Sequence, residues 1–221
     1  MNLPVSFFSA PWQWVMAVLS VLILYQAIRR APWHRLGNTV QLNVFLGMSV
    51  ALTLLWSLKA GVKPGLNLHM LGSMAVTLAL GPRLAVVSVA LALSGITLNG
   101  AIEWAAWPVN FILMGAVPIA TAYAIQRLVE HFLPAHFFIF IFVICFAGAA
   151  VTVMIQGVVA SLVMMLAGAY TGGFLLENYL PFFILIGFSE AWMSGAMLTL
   201  MVVYRPEWVV AFDDQHYLLN K

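Results

Sequence analysis

Residues Gly61–Pro82, GVKPGLNLHMLGSMAVTLALGP, contain an apolar segment too short to cross a membrane. The KPG step at residues 63–65 predicts a turn, because proline fixes φ and glycine adopts backbone conformations that other residues avoid. The following apolar part, Leu68–Leu80, would rise only about 20 Å as a helix, against roughly 30 Å of hydrocarbon. Lipid cannot satisfy irregular backbone, so such a helix must be enclosed by protein. We therefore predict an inset helix whose first turn carries Asn67 and His69 into the interior.

The composition indicates a polytopic membrane protein. Of the 221 residues, 64% are hydrophobic and only 7% are charged, whereas soluble domains have about 25% charged residues. The net charge of +2 gives no indication of nucleic-acid binding. The single cysteine, Cys145, excludes an internal disulfide and any cysteine-based metal cluster. No basic residue precedes the first apolar run, so we expect no cleaved signal peptide. The whole chain, residues 1–221, is predicted to form one integral membrane domain.

Six further apolar runs predict the other helices of an all-α bundle with about seven membrane helices, the inset helix being the third. These runs are Trp12–Ile28, Val40–Leu58, Leu84–Leu98, Trp107–Ile125, Phe137–Tyr170 and Tyr179–Tyr204. The fifth of these runs is too long for one straight crossing of about 20 residues and too short for two crossings with a loop. We interpret it as one tilted or bent helix, with Gly148, Gly157 and Gly168 as weak points.

The basic residues predict the orientation. Seven crossings place the N-terminus outside and the C-terminus inside, with residues 205–221 as a cytoplasmic tail. Two lysines, Lys59 and Lys63, then lie outside and seven basic residues lie inside, in agreement with the positive-inside rule. Those seven are Arg29, Arg30, Arg35, Arg83, Arg127, Arg205 and Lys221.

Three polar side chains within apolar segments are candidates for function. Glu190 costs about 2.5–3.5 kcal/mol at membrane depth, so it must face a partner or a water-filled cavity. It either forms a structural hydrogen bond or orients a ligand or backbone in a substrate cavity. His69 is either a metal ligand or a packing residue, and Asn110 is expected to hydrogen-bond across helices. The chain has no P-loop and no catalytic motif, so we expect neither ATP hydrolysis nor an enzyme.

In sequence order, these features resemble the substrate-capture subunits of energy-coupling factor transporters for cobalt and nickel, the CbiM/NikM type. The opening MHIP of that family resembles MNLP at 1–4, followed by FFSAP at 7–11 and the arginines at 29–30. Its Pro-Gly, His-Leu-Leu-Gly and Leu-Gly-Pro elements resemble residues 64–65, 69–72 and 80–82. Its NVFNMG segment resembles 108–115, and its closing Gly-Glu-Gly and Arg-Pro resemble 189–191 and 205–206. The resemblance extends from residue 1 to about 208.

The resemblance implies a metal site at the N-terminus. In that family residues 1–11 would fold back into the bundle, and the ligands would come from the terminal amine, the second residue and the histidine of the short-helix segment. By position these are Met1, Asn2 and His69, with Asn67, Asn110 and Glu190 around the cavity. Nickel(II) or cobalt(II) would be the substrate rather than a permanent cofactor. The expected partners are membrane lipid, a transmembrane coupling protein and ATPase subunits, in the bacterial inner membrane.

Asn2 departs from the family pattern, because an amide replaces the imidazole of the second residue. An amide is a poor ligand for borderline metals and a better one for hard cations. Three alternatives follow: weaker binding of a transition metal, a different substrate in the same cavity, or a scaffold subunit that no longer transports. The small residues Gly148, Ala149, Ala150 and Gly157 either admit a partner helix or pack internally.

Overall fold

The computed structural model describes residues 2–58, 60–61, 63 and 66–219, and these form a bundle of helices. The helices are α1 (Ala10–Arg30), α2 (Thr39–Ser57), α3 (Ser73–Leu80), α4 (Pro82–Leu98), α5 (Trp104–Phe132), α6 (Ile139–Leu166), α7 (Gly172–Asn178) and α8 (Phe182–Tyr204). Two short antiparallel strands, β1 (Ala60–Gly61) and β2 (Asn67–Leu68), pair between α2 and α3. Short 3₁₀ turns occur at Val5–Phe7, Trp33–Gly37 and Pro206–Trp208.

Five of the described helices are long and apolar enough to cross a membrane, namely α1, α2, α5, α6 and α8. Helix α4 is apolar but has only 17 residues. The predicted polytopic helical bundle is therefore confirmed, whereas the count of seven crossings and the orientation stay predictions. Since Met1, Lys59, Pro64, Gly65 and Lys221 lie outside the described residues, the structure adds nothing on the charges or the turn expected there.

Helix α3 lies at the centre of the bundle. All eight of its residues are buried, and it packs against α2, α4, α5, α6 and α8. The prediction that this helix starts at Leu68 is wrong. Leu68 belongs to β2, and the chain turns at Gly72, whose φ of +65° lies in the left-handed region that favours glycine. Asn67 and His69 therefore precede the helix instead of lying on its first turn.

The segment after α8 packs back onto the bundle and meets the C-terminal end of α3. The backbone N–H groups of Val210 and Ala211 donate to the carbonyls of Ala79 and Leu78, at 3.2 and 3.0 Å. The side chains of Val209, Phe212 and Tyr217 are buried. This segment thus supplies two hydrogen-bond donors to carbonyls that the end of a helix leaves without intrahelical partners.

Tyr217 attaches the same segment to α5. Its ring stacks on Phe212 with centroids 5.3 Å apart and contacts Phe140 at 4.9 Å. Its hydroxyl donates to Glu130 at 3.3 Å. Burial, and next the neighbouring carboxylate of Glu130, raise the pKa of the Tyr217 phenol, so the hydroxyl keeps the proton that it donates.

The long apolar run forms one continuous helix, α6, as predicted. Its first part, Ile139–Ala147, is π-helical, and the α-helical part begins at Gly148. A Cβ added at Gly148 would contact Met74 and Ile125, and one added at Gly157 would overlap the ring of Phe183. These small residues therefore serve packing within the bundle, which is the second of the two alternatives stated for them.

We expect Gly157→Ala to destabilise the bundle. The added methyl group would fall on the Phe183 ring, and overpacking of this kind costs about 1–3 kcal/mol. Gly173→Ala is the matched control, because a Cβ there has no neighbour within 4 Å. Thermal unfolding of the detergent-solubilised proteins measures the difference. Equal unfolding temperatures for the two variants would contradict close packing of α6 against α8.

Candidate functional site

The loop that joins β2 to α3, residues 69–72, is held in place by Glu190 of α8. Its carboxylate accepts hydrogen bonds from the backbone N–H groups of Leu71 at 2.8 Å and Gly72 at 2.7 Å. The hydroxyl of Ser194, one turn further along α8, donates to the same carboxylate at 3.0 Å. Glu190 is fully buried, so its two oxygens find in these donors the partners that a buried carboxylate requires.

Trp56 of α2 also hydrogen-bonds to this loop. Its indole N–H donates to the carbonyl of Leu71 at 3.1 Å, and the side chain is 1% exposed. The peptide groups of the loop are thus fixed by α2 and by α8 together. Trp56 was not predicted from the sequence, although a buried indole N–H usually has a hydrogen-bond acceptor.

His69 lies at the start of this loop and is 9% exposed. Its Nδ1 is 2.9 Å from the carbonyl oxygen of Met70, and its ring centroid is 6.0 Å from that of Trp56. A carbonyl oxygen only accepts hydrogen bonds, so this contact assigns the proton of the neutral imidazole to Nδ1. The lone pair then belongs to Nε2, which is the arrangement that a metal-ligating histidine requires.

Asn110 of α5 binds the N-terminal segment through the backbone of Leu3. Its Oδ1 accepts from the Leu3 N–H at 2.9 Å, and its Nδ2 donates to the Leu3 carbonyl at 3.0 Å. The same Nδ2 donates to the carbonyl of Ala106 at 2.9 Å, and Asn110 is fully buried. The side-chain amide thus accepts from and donates to the same peptide unit, as the backbone of a neighbouring β-strand would. It holds the first described residues inside the protein.

The other two candidate residues lie beside these anchors. Asn2 is 9% exposed, and its side-chain nitrogen donates to the carbonyl of Ala101 at 3.4 Å. Asn67 pairs with Gly61 across the β-hairpin, and a side chain at position 61 would overlap its Oδ1. Met1, the third proposed ligand, lies outside the described residues.

A series of ring contacts connects the N-terminal segment to the β-hairpin. Phe7 meets Tyr170 edge to face at 5.7 Å, and Tyr170 stacks on Phe174 of α7 at 5.4 Å. The ammonium of Lys63 lies 4.5 Å from the Phe174 ring, within cation–π distance. The two segments expected to bind the metal are therefore connected through Tyr170 and Phe174 at the same end of the bundle. Helix α7, which makes this connection, was not predicted from the sequence.

Side chains of the usual metal-binding types do not converge in the described part of the chain. No group of three or more His, Cys, Asp or Glu residues lies close enough there to hold a metal ion. A metal site near His69 would consequently depend on other donors, such as amine or backbone nitrogens.

A comparison with protein families shows to which family the chain belongs. The family model described as the cobalt uptake substrate-specific transmembrane region, CbiM, matches residues 2–208. The chain belongs to the CbiM family. Comparisons with curated proteins and with solved structures find no significant match. CbiM proteins are membrane transport components and not an enzyme family, and the family's cargo is a metal ion.

We expect Glu190→Gln to destabilise the protein. Glutamine keeps the shape of the side chain but has only one accepting oxygen, so one loop N–H loses its acceptor. An unsatisfied buried donor costs about 1–3 kcal/mol. Unfolding of the solubilised protein, followed by tryptophan fluorescence, measures this loss. Glu177→Gln, an exposed acid of α7, is the control, and an equal effect of both variants would refute the anchoring role of Glu190.

Proposed function

We propose that this CbiM-family chain is the substrate-binding membrane subunit of an energy-coupling factor importer for a transition-metal ion, cobalt or nickel. The sequence contains no P-loop, so ATPase subunits and a transmembrane coupling protein would supply the energy. Its location would be the bacterial inner membrane, with the N-terminus outside and the segment after α8 in the cytoplasm.

The observation that carries this proposal is the hydrogen bond at Nδ1 of His69. Its Nδ1 is engaged with the Met70 carbonyl, which directs the lone pair to Nε2. The loop that bears it is fixed by Glu190 and Trp56. A ligand on a fixed loop binds metal without the entropic cost of ordering that loop. Glu190 would thus orient the loop backbone, while His69 contacts the ion.

The N-terminal segment would supply the remaining nitrogens. The paired hydrogen bonds between Asn110 and Leu3 hold the backbone directly after Asn2. We assign the terminal amine of Met1 and the backbone nitrogen of Asn2 as ligands beside His69. The backbone nitrogen of Asn2 would bind as a deprotonated peptide nitrogen. The side-chain nitrogen of Asn2 donates to the Ala101 carbonyl, and a protonated amide nitrogen has no lone pair available to a metal, so the side chain is not assigned as a ligand.

This ligand set differs from that of the family by one nitrogen. Without the imidazole of a second-position histidine, three nitrogens remain, and nickel(II) or cobalt(II) would be bound more weakly than by four. Nitrogen donors still select these ions over magnesium or calcium, which prefer oxygen. The proposed substrate class is therefore unchanged, and the proposed affinity is lower.

We expect the protein purified with a native N-terminus from cobalt-supplemented cells to contain cobalt. His69→Ala should abolish this metal content, because it removes the imidazole ligand. Elemental mass spectrometry provides the measurement. His131→Ala is the control, since His131 is exposed at the far end of α5 and should leave the metal content unchanged. Loss of cobalt in both variants, or in neither, would contradict the assignment of His69.

We expect Asn2→His to raise the affinity for cobalt by at least about tenfold, because it restores an imidazole donor at the second position. Equilibrium dialysis against cobalt and nickel gives the affinities. The double variant Asn2→His, His69→Ala should lose the gain if both side chains bind one ion. An unchanged affinity in Asn2→His, with no metal in the unsubstituted protein, would overturn the proposal of metal capture.

A further inference from the structure

A cavity of about 710 Å³ opens between α1, α4 and α5, away from the His69 loop. Its rim carries Arg30 at the end of α1, Arg35 in the following turn and Arg83 at the start of α4. Specific ligand sites in proteins commonly measure about 300–1,000 Å³. The cavity is thus large enough to be a binding site.

The rim is strongly cationic. None of the residues that line the cavity is acidic. Within the described ranges, the recorded ion pairs use two other arginines, Arg127 with Glu130 and Arg205 with Glu207. Glu207 borders a neighbouring cavity together with Arg35, but its carboxylate lies 3.6 Å from Arg205. The charges of Arg30, Arg35 and Arg83 are therefore matched by no acid of the cavity itself.

Arg83 is hydrogen-bonded to the end of α1. Its Nη1 donates to the carbonyl of Arg30 at 2.9 Å, which ties the start of α4 to the end of α1. A guanidinium has five N–H donors in a planar fork, so four remain for another acceptor. Such a fork matches the paired oxygens of a phosphate.

Apart from the three arginines, Gln26 and Tyr123, the residues that line the cavity are apolar. Its wall is formed by aliphatic side chains, among them Ile23, Val86 and Ile119. The adjoining face of α1 is exposed, with Val21 at 67% and Leu22 at 51% exposure. In a membrane-spanning helix such a face meets lipid, so the helix that forms one side of the cavity borders the hydrocarbon region.

We propose that this cavity binds an anionic phospholipid. The arginines would contact the phosphate of the head group, and an acyl chain would lie along the apolar wall. Basic pockets between membrane helices favour such lipids because they combine charge attraction with burial of the chain. A free phosphate would match the rim alone and leave the wall uncovered.

Native mass spectrometry of the full chain in neutral detergent tests the proposal. Dioleoyl phosphatidylglycerol and dioleoyl phosphatidylcholine are titrated in parallel. We expect the former to be retained at least about tenfold more strongly, and this preference to fall as salt rises. The triple variant Arg30→Gln, Arg35→Gln, Arg83→Gln should lose the preference. The control Arg127→Gln, Arg205→Gln removes two arginines that are paired with acids and should keep it.

Several results would overturn the proposal. Equal retention of both lipids, or equal loss in the triple and the control variants, would exclude a specific site. Glycerol phosphate binding as strongly as phosphatidylglycerol would indicate a phosphate site without a lipid chain. An oligoglutamate peptide that displaces phosphatidylglycerol at lower concentration would indicate an acidic protein partner. If the triple variant does not fold, Arg83→Lys and Arg83→Gln are compared, and the proposal requires a larger loss for glutamine, which removes the charge.

Discussion

The centre of the bundle depends on one contact, in which the Glu190 carboxylate accepts hydrogen bonds from the peptide N–H groups of Leu71 and Gly72. A short helix inside a membrane protein leaves polar groups unsatisfied at both ends, and water is not available to satisfy them. Here α8 supplies the acceptor for the loop before α3. The backbone of residues 210–211 supplies donors at the other end. Both ends thus receive hydrogen bonds from segments more than 100 residues away in sequence.

Contacts of the same kind hold the backbone of the candidate site. Trp56 and Glu190 both hydrogen-bond to the 69–72 loop, and Asn110 holds the N-terminal segment through paired hydrogen bonds. Each anchor is a buried side chain on a long helix that hydrogen-bonds to the backbone of another segment. Such contacts fix where the chain runs, while the proposed capture of an ion would depend on His69 and on the first two residues.

The sequence predicts the long helices well and the connections poorly. Helices α1, α2, α4 and α8 begin and end close to the predicted positions, because their apolar runs are bounded by charges, prolines or glycines. The start of α3 was missed because Leu68 and His69 are compatible with a helix, whereas the loop conformation depends on hydrogen bonds with the distant Glu190 and with Trp56. For the site, an intramembrane acid and an amide were recognisable as unusual, whereas Trp56 and α7 gained their roles from neighbours that no local pattern encodes.

The contacts at the C-terminal end of α3 also set an order for biosynthesis. Ala79 and Leu78 receive their donors from Val210 and Ala211, which are translated roughly 130 residues later. The chain must therefore be made through residue 211 before the inset helix has these hydrogen-bond partners. Until Glu190 and then residues 210–211 are made, α3 lacks the long-range hydrogen bonds at both of its ends. A chain that stops after α8 would leave these two carbonyls without these donors.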